Sequence, residues 1–189
     1  MPEAHPLLED SKTAPLSCLK VTFDVRFQHF SLRGPDRVHP DESAKTREGI
    51  LNRVQGQLRC RTGTTTDRVV LRVETFEEAP VLAAADYVDV VEVSYDSSGG
   101  ELRVFTWPDT IIGDLPISLE AETSYRVRYH RSKPALETDE TGRKVTEKGL
   151  LQLWLAPHAV PRELKVTSSN GLFWHSRYAF TQALRNLGP

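Results

Sequence analysis

The stretch "DYVDVVEVSYDSSGGELRVFTWPD", residues 86–109, decides the fold. Two runs rich in β-branched and aromatic residues flank "DSSGG", whose two glycines are free to take positive φ. The pattern reads as two strands joined by a loop, and the same rhythm extends in both directions. Downstream, "DTIIGDLPISLEAE" (109–122) reads as a polar, proline-bearing link. "SYRVRYHRS" (124–132) follows as a strand with Tyr125, Val127 and Tyr129 on one side and Arg126, Arg128 and His130 on the other. "LLQLWLAP" (150–157) is a further strand, with Leu151, Leu153 and Leu155 alternating against Gln152 and Trp154.

Upstream, "KVTFDVRFQHFSL" (20–32) alternates Val21, Phe23, Val25 and Phe27 with polar residues, the mark of a half-buried strand. "QGQLRCRTGTTTDRVVLRVETFEE" (55–78) reads as a hairpin. Leu58 and Cys60 supply the inner face of one arm, and Val69, Leu71 and Val73 that of the other. Between these, residues 32–49 read as a loop broken by Gly34, Pro35 and Pro40, with a short helical turn around 43–54. Residues 133–149 read as an exposed loop. From Asn170 or Ser176 the period changes, and Phe173, Tyr178, Phe180, Ala183, Leu184 and Leu187 fall on one helical stripe.

At least seven strand-like segments with turn-like connections imply an all-β fold, an antiparallel, jelly-roll-like β-sandwich with a short C-terminal helix. Residues 1–17 lack periodicity and are expected to be a flexible tail, leaving 18–189 as a single domain. A chain of 189 residues suits one substantial core. No apolar run approaches signal-peptide or membrane-spanning length, which places the chain in the cytoplasm. Two cysteines, Cys18 and Cys60, are no disulfide framework, and both are expected as thiols, Cys60 in the core. A formal charge of -2 speaks against nucleic acid as the partner.

No phosphate-binding glycine loop, nucleophile elbow or paired-histidine motif occurs, and the histidines lack zinc-site spacing. No catalytic residue, metal ligand or cofactor is therefore assigned. Charged rows remain. Asp86, Asp89 and Glu92 form an acidic row, with Glu74, Glu77 and Glu78 nearby in sequence. Arg126, Arg128, His130 and Arg131 form a basic one. Each is a candidate for meeting a partner of opposite charge. The plainer reading makes each the wet side of a strand, with arginine the habitual outward residue, as at Arg59, Arg61, Arg68 and Arg72. Trp107 and Trp154 are expected to cover a core edge or to pack beneath the terminal helix.

The succession "DYVDVVEVSYDSSGGELRVFTW", "SYRVRYH" and "LWLAP", spanning residues 86–157, resembles small bacterial, actinobacterial-type β-sandwich proteins of the competence protein J family. The resemblance implies an inhibitor of a DNA-entry nuclease and assigns no functional residue. The expectation is a non-enzymatic, protein-binding inhibitor or immunity-type factor. The alternatives are a jelly-roll-like small-ligand binder or enzyme with a site assembled from distant strands, and a virion or assembly component.

Overall fold

A computed structural model describes residues 14–34, 49–54, 57–83, 85–107, 110–135, 137–138 and 142–186, with backbone alone at 54, 113–117 and 178–186. The chain is mostly strand, in the order β1 (Ser17–Asp24), β2 (His29–Arg33), β3 (Leu51–Val54), β4 (Gln57–Arg61), β5 (Arg68–Phe76), β6 (Asp89–Thr106), β7 (Thr110–Arg131), β8 (Glu137–Thr138), β9 (Lys144–Val145), β10 (Glu147–Leu155), β11 (Arg162–Val166) and α1 (Ser169–Asn186). Nine of the strands form one sheet in the order β1-β5-β10-β7-β6-β2-β4-β3, with β11 added beside β6. β8 and β9 make a separate small hairpin.

The opening stretch folds differently from its sequence reading. "DSSGG" does not end a strand: β6 runs through it from Asp89 to Thr106, and the polar link beyond is itself part of β7. β6 and β7 pair antiparallel over nearly their whole lengths, with register shifts at Ser97/Ser98, Glu101/Arg103 and Val104/Phe105. At the first of these the inserted residue is Glu122 of β7 (φ 52°), and Gly99 and Gly100, just beyond it on β6, take φ of 87° and 84°. A Cβ at Gly99 would lie 2.9 Å from that of Ala121, so the bulge needs glycine to bring the two backbones together. One long, bulged ribbon results where two strands joined by a loop, a polar link and a further strand were expected.

The ribbon joins two halves of the sheet. Its first half, around Val93 and Val127, continues through β10 and β5 to β1, and its second half, around Val104, continues through β2 and β4 to β3. These halves face each other: Phe23 of β1 meets Phe30 of β2 edge to face at 5.4 Å, and Phe30 meets Tyr129 of β7 at 5.9 Å. One core holds Leu58, Cys60, Leu71, Val91, Val127 and Leu151 together.

The expected antiparallel arrangement requires correction. β5 and β10 are parallel, Val69 opposite Glu147 through Phe76 opposite Trp154. The expected 55–78 hairpin is absent too. β4 pairs with β2 and β3, β5 pairs with β1 and β10, and the intervening loop crosses between the halves. The inward residues of both arms are nevertheless buried as the alternation implied. "KVTFDVRFQHFSL" is two strands, because Phe27 and Gln28 (φ 58° and 60°) make a tight turn closed by an Arg26–His29 bridge. Phe27 is therefore exposed and not inward. Residues 51–54 are strand β3 and not helix. The rest of the expected helical turn, residues 1–13 of the expected tail, and the side chains expected on the distal helical stripe lie outside the described residues. Cys18 is an exposed free thiol and Cys60 a buried one. Among the described residues, no helix is long and apolar enough to cross a membrane.

Candidate functional site

From Tyr125 to Arg131 both faces of β7 are buried. Tyr125, Val127 and Tyr129 enter the core as expected, yet Arg126, Arg128, His130 and Arg131 are also shielded from water. The expected wet face is thus an interior one. The physical reason is a cover of irregular chain: Pro80 and the segment through Ala159 and Val160 lie over the arginines, and their carbonyls accept hydrogen bonds from them. Arg128 donates to Pro80 O at 3.0 Å, and Arg126 to Ala159 O at 3.2 Å and Val160 O at 3.0 Å.

Register explains the rest. Glu92, Arg128, Gln152 and Glu74 stand side by side on β6, β7, β10 and β5. Arg128 Nε donates to Glu92 at 2.8 Å and its Nη1 to Gln152 at 3.3 Å. Gln152 in turn donates to Glu74 at 3.1 Å, which Arg72 closes at 2.6 Å. Arg126 Nε reaches the other oxygen of Glu92 at 3.2 Å. Arg128 also lies 5.0 Å from the ring centre of Trp154, a buried cation–π contact. The acidic and basic rows expected on separate surfaces are therefore partners of one another, satisfied by mutual bonds as buried charges must be.

A second buried pair closes the far end of the ladder. Asp89 is 0% exposed and Arg131 1%. Arg131 Nε donates to Asp89 at 3.0 Å, and its other nitrogens to Asn170 at 2.7 Å and Ser168 at 2.8 Å. Asp89 also accepts from the backbone amides of Thr167 and Ser168, each at 3.0 Å, and from the Ser168 hydroxyl at 2.6 Å. Burial pushes the Asp89 carboxyl up, but Ser168 and Arg131 outweigh it and hold the group below the ordinary carboxylate range. Ser168 caps α1, accepting from Gly171 N at 2.8 Å. The pair is a clamp on the start of the helix. His130 sits between these networks with its ring 4.9 Å from that of Tyr87. Of the seven residues singled out as charged candidates, Asp86 alone is exposed, and it joins neither network.

With the ladder turned inward, surface chemistry lies elsewhere. Where β1 begins and β5 and β10 end, a groove of about 490 Å³ opens. Leu119, Tyr125 and Leu153 form its buried floor, Leu16 (69% exposed) and Leu155 (46%) its apolar rim, and Glu77 and Glu120 its charged rim. Three of its hydroxyls are already occupied: those of Ser17 and Thr75 meet at 2.7 Å, and that of Tyr125 accepts from Glu120 N at 3.1 Å. Glu77 carried a sequence signal as part of the acidic run. Glu120 and Leu16 carried none, since one sits in the presumed link and the other at the edge of the presumed tail. A smaller cavity of about 190 Å³ lies beside Val91, Pro161 and His175. At the opposite end of the sheet, exposed Phe27 and Trp107 meet edge to face at 5.4 Å. Trp107 is thus no core cover, whereas Trp154 is buried and Trp174 of α1 packs against the core, stacked with Arg61 at 3.6 Å. Among the described residues no group of histidine, cysteine and carboxylate side chains has the arrangement to hold a metal ion.

No protein-family model and no curated protein sequence matches the chain. Its fold is similar to that of ComJ from Bacillus subtilis, an inhibitor of the DNA-degrading activity of NucA, with a TM-score of 0.51 at 10% identity over 76% of this chain and 98% of that one. It is equally similar to the product of crocagin biosynthetic gene J, with a TM-score of 0.50 at 10% identity over 75% of this chain and 98% of the other. The resemblance noted over residues 86–157 thus extends, as a likeness of fold, over about three quarters of the molecule.

Proposed function

We propose that the chain is a non-enzymatic protein-binding module that inhibits its partner, a DNA-degrading nuclease being the class of target the fold favours. The observation that carries this reading is the likeness to ComJ over 98% of that inhibitor's length. The interior supports it in a second way. The arginines at the end of β7 spend their side chains on holding Pro80 and the segment 159–170 in place, which leaves recognition to the rims. The partner is a protein and not nucleic acid, in keeping with the net charge of -2, and the encounter is assigned to the cytoplasm.

The test is functional and not merely associative. The full chain, tagged and used as bait in extract of its native cell, should retain a protein whose purified DNA-degrading activity falls to background as the chain is added to one equivalent. A retained protein whose activity persists at saturating chain would remove the inhibitory reading, and reproducible retention of no protein would remove the binding one.

A further inference from the structure

We propose that the groove between Leu16, Glu77, Glu120 and Leu155 is the docking site for a cationic segment of a protein, one that seats apolar side chains on the floor and lysine or arginine against the two carboxylates. This deepens the protein-binding reading above and rests on it. The floor of Leu119, Tyr125 and Leu153 belongs to the core, so its shape is fixed before any partner arrives. A volume of about 490 Å³ falls within the range of preformed binding pockets and exceeds what one apolar side chain fills.

Charge selects the occupant. The described lining contains two carboxylates and no cation. Neither Glu77 nor Glu120 has an ion-pair partner among the described residues, whereas Glu74, Glu92, Asp89 and Glu163 are each matched to an arginine or histidine. Apolar contact framed by unmatched charge is the composition of a docking rim: the floor supplies affinity, and the carboxylates supply steering and register. A protein that handles DNA presents cations because its substrate is a polyanion, and such a surface is complementary to this groove. The exposed Phe27–Trp107 pair at the other end lacks any comparable indication of what would cover it.

The probe is a twelve-residue peptide in which leucine and phenylalanine alternate with lysine and arginine. One control replaces its apolar residues by serine, and another replaces its cations by glutamate. Titrated into the isotope-labelled full chain at physiological salt, the first peptide should shift the amides of Thr75, Leu119 and Leu153, and both controls should bind more weakly. The double variant Glu77→Lys, Glu120→Lys changes exposed side chains only, and should weaken the first peptide by roughly tenfold while leaving the far-UV spectrum intact. Shifts centred elsewhere, equal binding of all three peptides, or undiminished binding to a folded double variant would each overturn the proposal. The two readings fail separately. If the double variant still inhibits a captured nuclease as the parent does, the groove is wrong and inhibition stands. If the peptide docks in the groove and the chain inhibits nothing it captures, inhibition is wrong and the groove stands.

Discussion

Glu147 opens β10 from a stretch that reads as exposed loop, yet it is a buried carboxyl. Its Oε2 accepts the amides of Gly63 at 2.6 Å and Thr64 at 3.2 Å, tying the β4–β5 crossing to β10, and its Oε1 has no partner among the described residues. Burial pushes the group up from 4.5 to about 7, against the pull of Arg131 and the two amides. Between those values the folded chain holds a proton that the unfolded chain releases. The contribution to stability is therefore complete below about pH 4.5 and lost as pH rises through 7. His130 works in the opposite sense. Burial lowers its imidazole from 6.5 to about 4, so stability is lost as pH falls through that interval. The two slopes oppose each other below pH 6.5. Glu147→Gln, which keeps the acceptor and removes the titration, isolates one of them. Thermal melts from pH 5 to 8 should show the parent losing stability relative to the variant by an amount on the order of 2–3 kcal/mol. Parallel curves would mean that the carboxyl titrates as it does in the unfolded chain. No sequence signal marks Glu147, because its partners are two backbone amides more than eighty positions away.

At the scale of elements, the clamp on α1 shows what alternation can and cannot reveal. Period two correctly places Tyr125, Val127 and Tyr129 opposite Arg126 and Arg128, and it says nothing of what lies above either face. The cover over the arginines is aperiodic chain, and its carbonyls are recognisable as acceptors only once the fold brings them near. Gly171 gives a test with a diagnostic sign. In an exposed helix, Gly→Ala adds roughly 1 kcal/mol of stability. Here a Cβ would stand 2.7 Å from the Asp89 carboxylate, which five donor groups already fix in place. Gly171→Ala should therefore destabilise, by about 1–3 kcal/mol as overpacking does, and a gain in urea midpoint would refute the close approach. Asp89→Ala should cost more, about 3–5 kcal/mol, since it leaves the Arg131 guanidinium buried without its counter-charge. The same measurement on both variants orders the two effects.

At the scale of the whole molecule, the sequence conveyed class better than connectivity. Strand positions and inward residues were legible because burial of one face imposes its period locally. The parallel β5–β10 pair, the crossing after β4 and the passage of β6 through "DSSGG" were not, because pairing partners are chosen by the closure of one core. β6 and β7 each contribute to both facing halves, and Phe30 of one half packs on Tyr129 of the other. Separating the halves would expose apolar surface on both, so residues 18–186 should unfold as one cooperative unit. The free thiols supply the probe. In a Cys18→Ser background, Cys60 is the sole cysteine and is fully buried in β4, while far-UV signal reports all strands. The urea midpoint for Cys60 labelling should coincide with that of the far-UV transition, and calorimetric and van't Hoff enthalpies should agree. Labelling of Cys60 complete at a urea concentration where most strand signal persists would show that the β2–β4 half opens alone, as a separate folding unit.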